Sequence, residues 1–428
     1  MKEQLVNIII NASMYCAWAI FLIRKRGICI NTYPVILWAI SSVASIYYFM
    51  SEYRYHTFIN EITLIPFVYL FILVWISFRP LVNFDSQKIR RITINNTFYK
   101  IVSWCVIALS LSVFLQNCLY FANNMLSGQA FLDAYTSKME GEQIEIFTGF
   151  SNFLMRYCKF FKGIIPIFFI LSLTSFVKAN MFLRIGLFLS LMNLFVNYMN
   201  TSSRFALLTD FFLLTFLYVL LYRYFHPKIK RLANIIGVSM AGGLIIGVLA
   251  ITFQRFGDDS GYSKSLDYNL SLYLGESFLN FNGDMWNMQN YADGQNCMAY
   301  FIDKFNGKAL PGRDYLALER VVNRRMNVFY TFIGDYYTDL GRIGTVVAVL
   351  LLTSLFSKIV RAKRSMSIGI IILFSTYVKV LLVGFTYWTY LNYSMEFVVN
   401  IVIALLFILT NNYDFNRNGD VQRRKIYS

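Results

Sequence analysis

Charged residues are scarce in this 428-residue chain, and histidine is almost absent. Asp, Glu, Lys and Arg together make up 14% of the residues, whereas 57% are hydrophobic. This composition is too apolar for an ordinary soluble domain and indicates a polytopic membrane protein. Histidine occurs only as His56 and His226. If the protein needs a general base, a carboxylate is therefore the expected one.

Paired cysteines are also lacking. The six cysteines lie mostly in or beside apolar runs, and no two of them have the CxxC spacing of common metal sites. They are typical of small buried side chains, so the sequence predicts neither a metal site nor a cofactor. The first apolar run ends at Arg24-Lys25-Arg26 rather than at a small-residue cleavage site, which predicts a retained first span.

Long hydrophobic runs are abundant. A membrane-crossing helix needs about 20 mainly apolar residues, and this criterion predicts about eleven spans. They cover residues 5–23, 33–51, 61–78, 98–121, 160–177, 181–197, 204–222, 233–253, 336–357, 366–385 and 390–410. The expected fold is all-α, a transmembrane helical bundle. It divides into spans 1–8 (1–253), a large, partly helical external loop (254–335), spans 9–11 (336–410) and a tail (411–428).

The positive charge alternates between the connecting loops. The formal net charge is +16. Basic clusters at 24–26, 79–91, 178–184, 223–231, 358–364 and 417–425 all fall on one side of the predicted bundle. By the positive-inside rule this side is cytoplasmic, so the N-terminus is predicted outside and the C-terminus inside. The alternation explains most of the charge without a nucleic-acid partner.

The most informative segment is the polar interval from Gln254 to Arg325, which is predicted to lie outside. Arg204 and Arg255 stand at the outward ends of two spans, where a lipid phosphate would lie. Both also fit the alternative of an interface anchor. Within the interval, Ser265 to Gln289 has the spacing of an amphipathic helix that lies on the membrane or covers the bundle.

Further along, the string RDYLALERVVNRR predicts a helix that carries arginines. Offsets of 7 and 11 residues place Arg313, Arg320 and Arg324 within about 40° on one helix face. This face is interpreted either as a polyanion cradle or as a solvated side with Glu319 as partner. Arg325 directly follows it.

The ninth predicted span begins in a polar string. Asp335 and Asp339 are four residues apart on one helix face, and Asp339 could pair with Arg342. Charged residues so close to a bilayer are kept for structure or for a site.

Taken together, the spans, outward arginines, large external loop and closing string resemble the Wzy-type oligosaccharide repeat-unit (O-antigen) polymerases. The closing string is Tyr337-Thr338-Asp339-Leu340-Gly341-Arg342-Ile343-Gly344, preceded by Asn327, Phe329 and Tyr330. The resemblance implies a type-C, metal-independent glycosyltransferase at the periplasmic face of the bacterial inner membrane. Its substrates would be undecaprenyl-pyrophosphate-linked oligosaccharides, and a chain-length regulator, a flippase and membrane lipids would be its partners.

The resemblance also suggests roles for individual residues. Pyrophosphate or substrate would be bound by Arg204, Arg255, Arg313, Arg320, Arg324, Arg325, Tyr330 and Tyr337. The candidate bases are Asp335, Asp339 and Glu276. The related O-antigen ligases carry a loop histidine that is missing here, so the base stays open. The alternatives are a ligase of the same fold, a lipid-linked oligosaccharide flippase or transporter, and a non-catalytic assembly protein.

Overall fold

The computed structural model of this chain is mostly helical. It describes residues 2–51, 60–127, 149–201, 203–235, 237–239, 242–243, 266–307, 315–326, 328–361, 365–391 and 394–426. The helices are α1 Lys2–Arg26, α2 Tyr33–Met50, α3 Leu64–Ser77, α4 Arg79–Val82, α5 Asn96–Ser127, α6 Gly149–Phe160, α7 Ile164–Ser172, α8 Met181–Asn200, α9 Arg204–Leu221, α10 Leu266–Asn280, α11 Ala299–Phe305, α12 Tyr315–Val322, α13 Thr331–Ile359, α14 Ile368–Val383 and α15 Ser394–Ile426. A π-helical turn, Phe281–Met285, follows α10. There are also two 3-10 helices, Ser86–Lys88 and Tyr222–Tyr224, and two strands, β1 Arg91–Thr93 and β2 Ser365–Ser367.

The length and composition of the helices suggest a membrane protein, in line with the prediction. Within the described ranges, 6 helices are long and apolar enough to cross a membrane. They are Lys2–Arg26, Tyr33–Met50, Asn96–Asn123, Met181–Asn200, Phe205–Tyr224 and Thr331–Ile359. Shorter apolar helices occupy three further predicted spans, at Leu64–Ser77, Ile368–Val383 and Met395–Asn411.

Two of the predicted spans have a different outcome. The apolar run 160–177 is not one helix, because a turn at Phe161–Gly163 separates α6 from α7. With 9 residues, α7 is too short to cross a bilayer alone. Most of the run 233–253 lies outside the described residues.

The chain forms two compact units, and the first consists of residues 1–84, 264–361 and 377–395. In this unit α10 packs directly against α2. A Cβ on Gly275 would lie 2.5 Å from the backbone of Ala44, so the two helix backbones approach as closely as only glycine allows. Ser41 donates a hydrogen bond to the Leu274 carbonyl. The expectation that the segment from Ser265 to Gln289 lies on the membrane or covers the bundle is therefore wrong for residues 275–285, which are all buried.

Helix α13 is broken at Gly341, whose φ of 65° and ψ of −170° are not helical. The residues before the break, 331–339, are all buried, whereas several after it are exposed. One backbone donor and one side-chain donor from outside α13 bind carbonyls near the break. The Ala292 N–H donates to the Thr338 carbonyl at 2.8 Å, and the Tyr69 hydroxyl donates to that of Arg342 at 2.7 Å.

We expect Gly341→Ala to destabilise the protein by about 1–3 kcal/mol, because this backbone conformation is nearly exclusive to glycine. A Cβ would also lie 2.8 Å from the Tyr291 ring. Thermal unfolding in detergent measures the effect, and Gly242→Ala is the control because nothing lies within 4 Å of a Cβ there. Equal melting temperatures for the two variants would contradict the strain.

The second unit consists of residues 85–263, 362–376 and 396–428, and a buried ladder of amides joins its helices α5 and α8. The Asn200 amide donates to Asn117 Oδ1 at 2.7 Å, the Asn117 amide to Asn193 Oδ1 at 2.9 Å, and the Asn193 amide to Ser110 Oγ at 3.0 Å. Each of these side chains is fully or almost fully buried. Such polar contacts hold membrane helices together where the hydrophobic effect does not.

Two further contacts organise the second unit. Strands β1 and β2 pair in parallel, with Ile92 opposite Met366, so both segments have to lie on the same side of a membrane. Both belong to loops for which the charge pattern predicts a common side. The buried Lys162 ammonium also lies 3.1 Å from the Glu396 carboxylate, which joins the segment before α7 to α15.

Candidate functional site: an acidic and arginine cluster around a π-helical turn

The polar side chains of the first unit gather around the π-helical turn. Such a turn inserts a residue into a helix and occurs often at functional sites. Two hydrogen bonds of the Asn282 side chain fix the position of the turn. Asn282 Nδ2 donates to the Thr63 carbonyl at 2.6 Å, and Asn282 Oδ1 accepts from the Thr63 N–H at 3.0 Å. Asn60 binds the Gly283 carbonyl through its side chain at 2.8 Å. Asp284 is thereby held in a defined direction.

Asp284 and Arg325 form an ion pair. Arg325 Nη2 lies 2.7 Å from Asp284 Oδ2, and the aspartate side chain is 0% exposed while the arginine side chain is 36% exposed. Burial lowers the Arg325 pKa, but the charge and hydrogen bond of Asp284, with smaller contributions from Tyr330 and Tyr48, together raise it above its usual value. The pair therefore presents a guanidinium at the edge of a buried carboxylate.

Glu276, on the last turns of α10, is the second acid of the cluster. It is 5% exposed, and its Oε1 accepts the Phe329 N–H at 3.3 Å. Burial raises its pKa to about 8, although the Phe329 N–H and the Arg325 charge act in the opposite direction. A carboxyl group with this pKa can take up or release a proton near neutral pH, as a general base or acid requires.

Two buried tyrosines line the same cluster. The Tyr330 hydroxyl donates to the Arg325 carbonyl. Tyr330 and Tyr48 both contribute to the raised pKa of Arg325. Burial and the nearby Asp284 raise the Tyr330 pKa well above its usual value. Tyr330 was predicted to bind substrate, but here its hydroxyl fixes the backbone that carries Arg325. Tyr48 carried no sequence signal that distinguishes it from other aromatic residues of a span.

Arg324 binds carbonyl groups in and just after the π-helical turn. Its Nε donates to the Asp284 carbonyl at 2.8 Å, Nη1 to the Asn323 carbonyl at 2.8 Å and Nη2 to the Asn287 carbonyl at 3.4 Å. The prediction that it shares a helix face with Arg320 is wrong. Helix α12 ends at Val322, and Asn323 has a φ of 52°, the left-handed conformation that commonly ends helices.

Asp335 and Asp339 form a separate cluster, in which backbone and amide groups occupy their oxygens. Asp339 accepts the N–H groups of Asn296 and Cys297 at 2.9 and 2.7 Å. Asp335 accepts the Trp388 N–H at 2.6 Å and the Asn296 side-chain amide at 3.2 Å. Both aspartates therefore fasten loops to α13, which leaves Glu276 as the strongest of the three candidate bases.

The spacing suggested that Arg342 could pair with Asp339, but the guanidinium of Arg342 contacts Trp286 and Tyr337 instead. Its guanidinium lies 4.1 Å over the Trp286 ring, Nη2 donates to the Trp286 carbonyl at 2.9 Å, and Nε donates to the Tyr337 hydroxyl at 3.1 Å. Tyr337, a predicted binding residue, is buried and in turn donates to the Trp286 carbonyl at 2.8 Å. The ring of Tyr69 packs against Trp286 and completes this aromatic cluster.

Of the other predicted arginines, the structure describes the side chain of Arg320 alone. Arg320 is exposed on α12. Arg204 is the first residue of α9 in the second unit, and its side chain lies outside the described part of the chain, as do Arg255 and Arg313 entirely. Among the described residues, no group of three or more His, Cys, Asp or Glu side chains is placed to hold a metal ion.

Comparisons with family models, curated proteins and solved structures find no match to this chain. Inferences about its function therefore depend on the residues and geometry described above.

Proposed function

We propose that this membrane protein is a glycosyltransferase that polymerises lipid-linked oligosaccharide repeat units into surface polysaccharide. The observation that supports the proposal best is the cluster of Glu276, Asp284 and Arg325. It combines a proton-binding carboxyl group with a partly exposed guanidinium, in a segment between apolar helices. Transfer of a glycan from a diphosphate carrier needs these two functions.

In the proposed reaction, a hydroxyl oxygen of the acceptor glycan bonds to the anomeric carbon of the donor glycan. The bond from that carbon to the diphosphate oxygen breaks, and the electron pair leaves with the lipid diphosphate. The acceptor proton passes to the ionised Glu276 carboxylate. Arg325 stabilises the charge that develops on the leaving group, while Asp284 and Arg324 hold this guanidinium and the turn in position.

Reconstitution tests the proposal directly. The purified protein, placed in liposomes with lipid-linked repeat units and no ATP, should convert single units into a ladder of longer glycans on a gel. Repeat units that cross the bilayer without change in length would support the transporter instead. Transfer of single units to a lipid A core would support the ligase.

The elongation rate should rise with pH between about 6 and 9. Only the ionised form of Glu276 can accept a proton, and with a pKa of about 8 that form increases as the pH passes this value. Stability should show the opposite trend. Glu276 binds its proton more tightly in the folded protein than in the unfolded chain. Its contribution to the free energy of unfolding is therefore complete below about pH 4.5 and is lost as the pH rises through about 8. A pH-independent rate in the wild type would contradict the assignment.

A further inference from the structure

Arg342 occupies an unusual position for a charged residue. It lies within the candidate membrane span Thr331–Ile359, and its side chain is exposed. Its neighbour Ile343 is 82% exposed, so this side of α13 faces outward from the protein. An arginine placed there is costly unless an anion or water compensates its charge.

No carboxylate supplies that compensation in the described part of the chain. The ion pairs found there are Lys88–Asp85, Lys162–Glu396 and Arg325–Asp284, and none of them includes Arg342. The groups that hold its guanidinium are the Trp286 ring, the Trp286 carbonyl and the Tyr337 hydroxyl, all of which are uncharged. They orient the cation firmly but do not neutralise it.

An apolar strip runs along α13 from this point. Ile343, Val347, Leu350, Leu351 and Leu355 all follow the break at Gly341 and are exposed, and their offsets of 4, 7, 8 and 12 residues place them on one side of the helix. Helix α3 packs against α13 and exposes Ile65, Val68 and Ile72. A fixed cation therefore lies beside a long apolar surface within the same unit, which suits an amphiphile with an anionic head and a long hydrocarbon chain.

We propose that Arg342 and the α3–α13 surface bind the phosphate and the chain of a polyprenyl-phosphate lipid. The shared chemistry is a lipid phosphate, and the assignment to the glycan carrier rests on the proposed function. The π-helical turn connects the two sites, because Trp286 lies only two residues after Asp284. A carrier phosphate at Arg342 would thus be presented to the turn that positions Arg325.

Binding of a polyprenyl monophosphate without sugar tests this inference. The protein is placed in phosphatidylcholine nanodiscs, and affinity for the labelled lipid is measured with phosphatidylglycerol as competitor. We expect Arg342→Gln to weaken binding by about tenfold to a hundredfold, the effect of one charge-assisted contact. Arg342→Lys should retain part of the affinity, because it keeps the charge but loses the planar guanidinium.

Arg79→Gln is the matched control. Arg79 is likewise exposed and lies 4.4 Å over a tryptophan ring, that of Trp75 at the other end of α3. Equal losses in the two variants would show unspecific charge attraction and overturn the proposal, as would unchanged affinity in Arg342→Gln. Equally effective competition by phosphatidylglycerol would assign the site to ordinary phospholipid and overturn the carrier assignment.

Glu276→Gln separates this inference from the proposed function. Glu276 has no part in the lipid site, so this variant should bind the polyprenyl phosphate like the wild type while it fails to elongate glycans. Arg342-dependent binding in a protein that never elongates glycans would refute the polymerase and leave the lipid-phosphate site supported.

Discussion

Glu276→Gln is expected to reduce the rate of chain elongation by about 10²- to 10⁴-fold, the usual contribution of a general base. Glutamine has nearly the same shape as the protonated acid and can still accept the Phe329 N–H, which Glu276 binds at 3.3 Å. The protein should therefore fold normally. In cells, surface glycans should shorten to single repeat units, which a gel of the extracted polysaccharide would reveal.

Glu319→Gln is the control for this change. Glu319 Oε1 accepts the Met326 N–H at 2.7 Å, a bond that glutamine can also accept, so normal glycan ladders are expected. Normal ladders from Glu276→Gln would rule out proton transfer by this residue. Glu276→Asp gives a further check, since a shorter acid should restore part of the rate and keep the pH dependence.

Arg325→Ala should both destabilise the protein and abolish elongation. Removing the guanidinium leaves Asp284, whose side chain is 0% exposed, without its ion-pair partner. We expect a loss of about 2–4 kcal/mol, below that of a fully enclosed pair because Arg325 is partly exposed. Thermal unfolding of the purified variant in detergent measures the loss.

The double variant Asp284→Asn with Arg325→Gln separates stability from function. It removes both charges together and should recover most of the melting temperature, because no unpaired charge stays buried. Elongation should still fail, since a neutral amide cannot stabilise a leaving diphosphate. A double variant that elongates glycans at the wild-type rate would exclude Arg325 from the reaction.

The sequence predicted the helices far better than the contacts of the site. Hydrophobic length alone located α1, α2, α5, α8 and α13, because a bilayer span requires a long apolar run. The four-residue spacing of Asp335 and Asp339 correctly predicted a shared helix face, as both bind Asn296.

Other features had weak sequence signals or none. Asp284 and Arg325 are 41 residues apart, and no local pattern relates such a pair. The end of α12 was open to prediction, because asparagine is among the residues that readily adopt a left-handed backbone. A helical phase that runs through Asn323 placed Arg324 on the wrong surface. The break at Gly341 lies within the polar string that opens the ninth predicted span, and the helical spacing assigned to that string ran through Gly341 without a break.

The π-helical turn makes the site sensitive to chain length. A π turn corresponds to one extra residue in a helix, so deleting a residue within 281–285 would let α10 continue as an ordinary α-helix. Because a π turn absorbs its extra residue locally, the helix before the turn and the chain after it would keep nearly the same relative direction. The bulge that carries Asp284 would be lost, and with it the backbone geometry that directs the Asp284 carboxylate at Arg325. Related chains that carry this site should therefore tolerate substitutions in the turn more readily than any change in its number of residues.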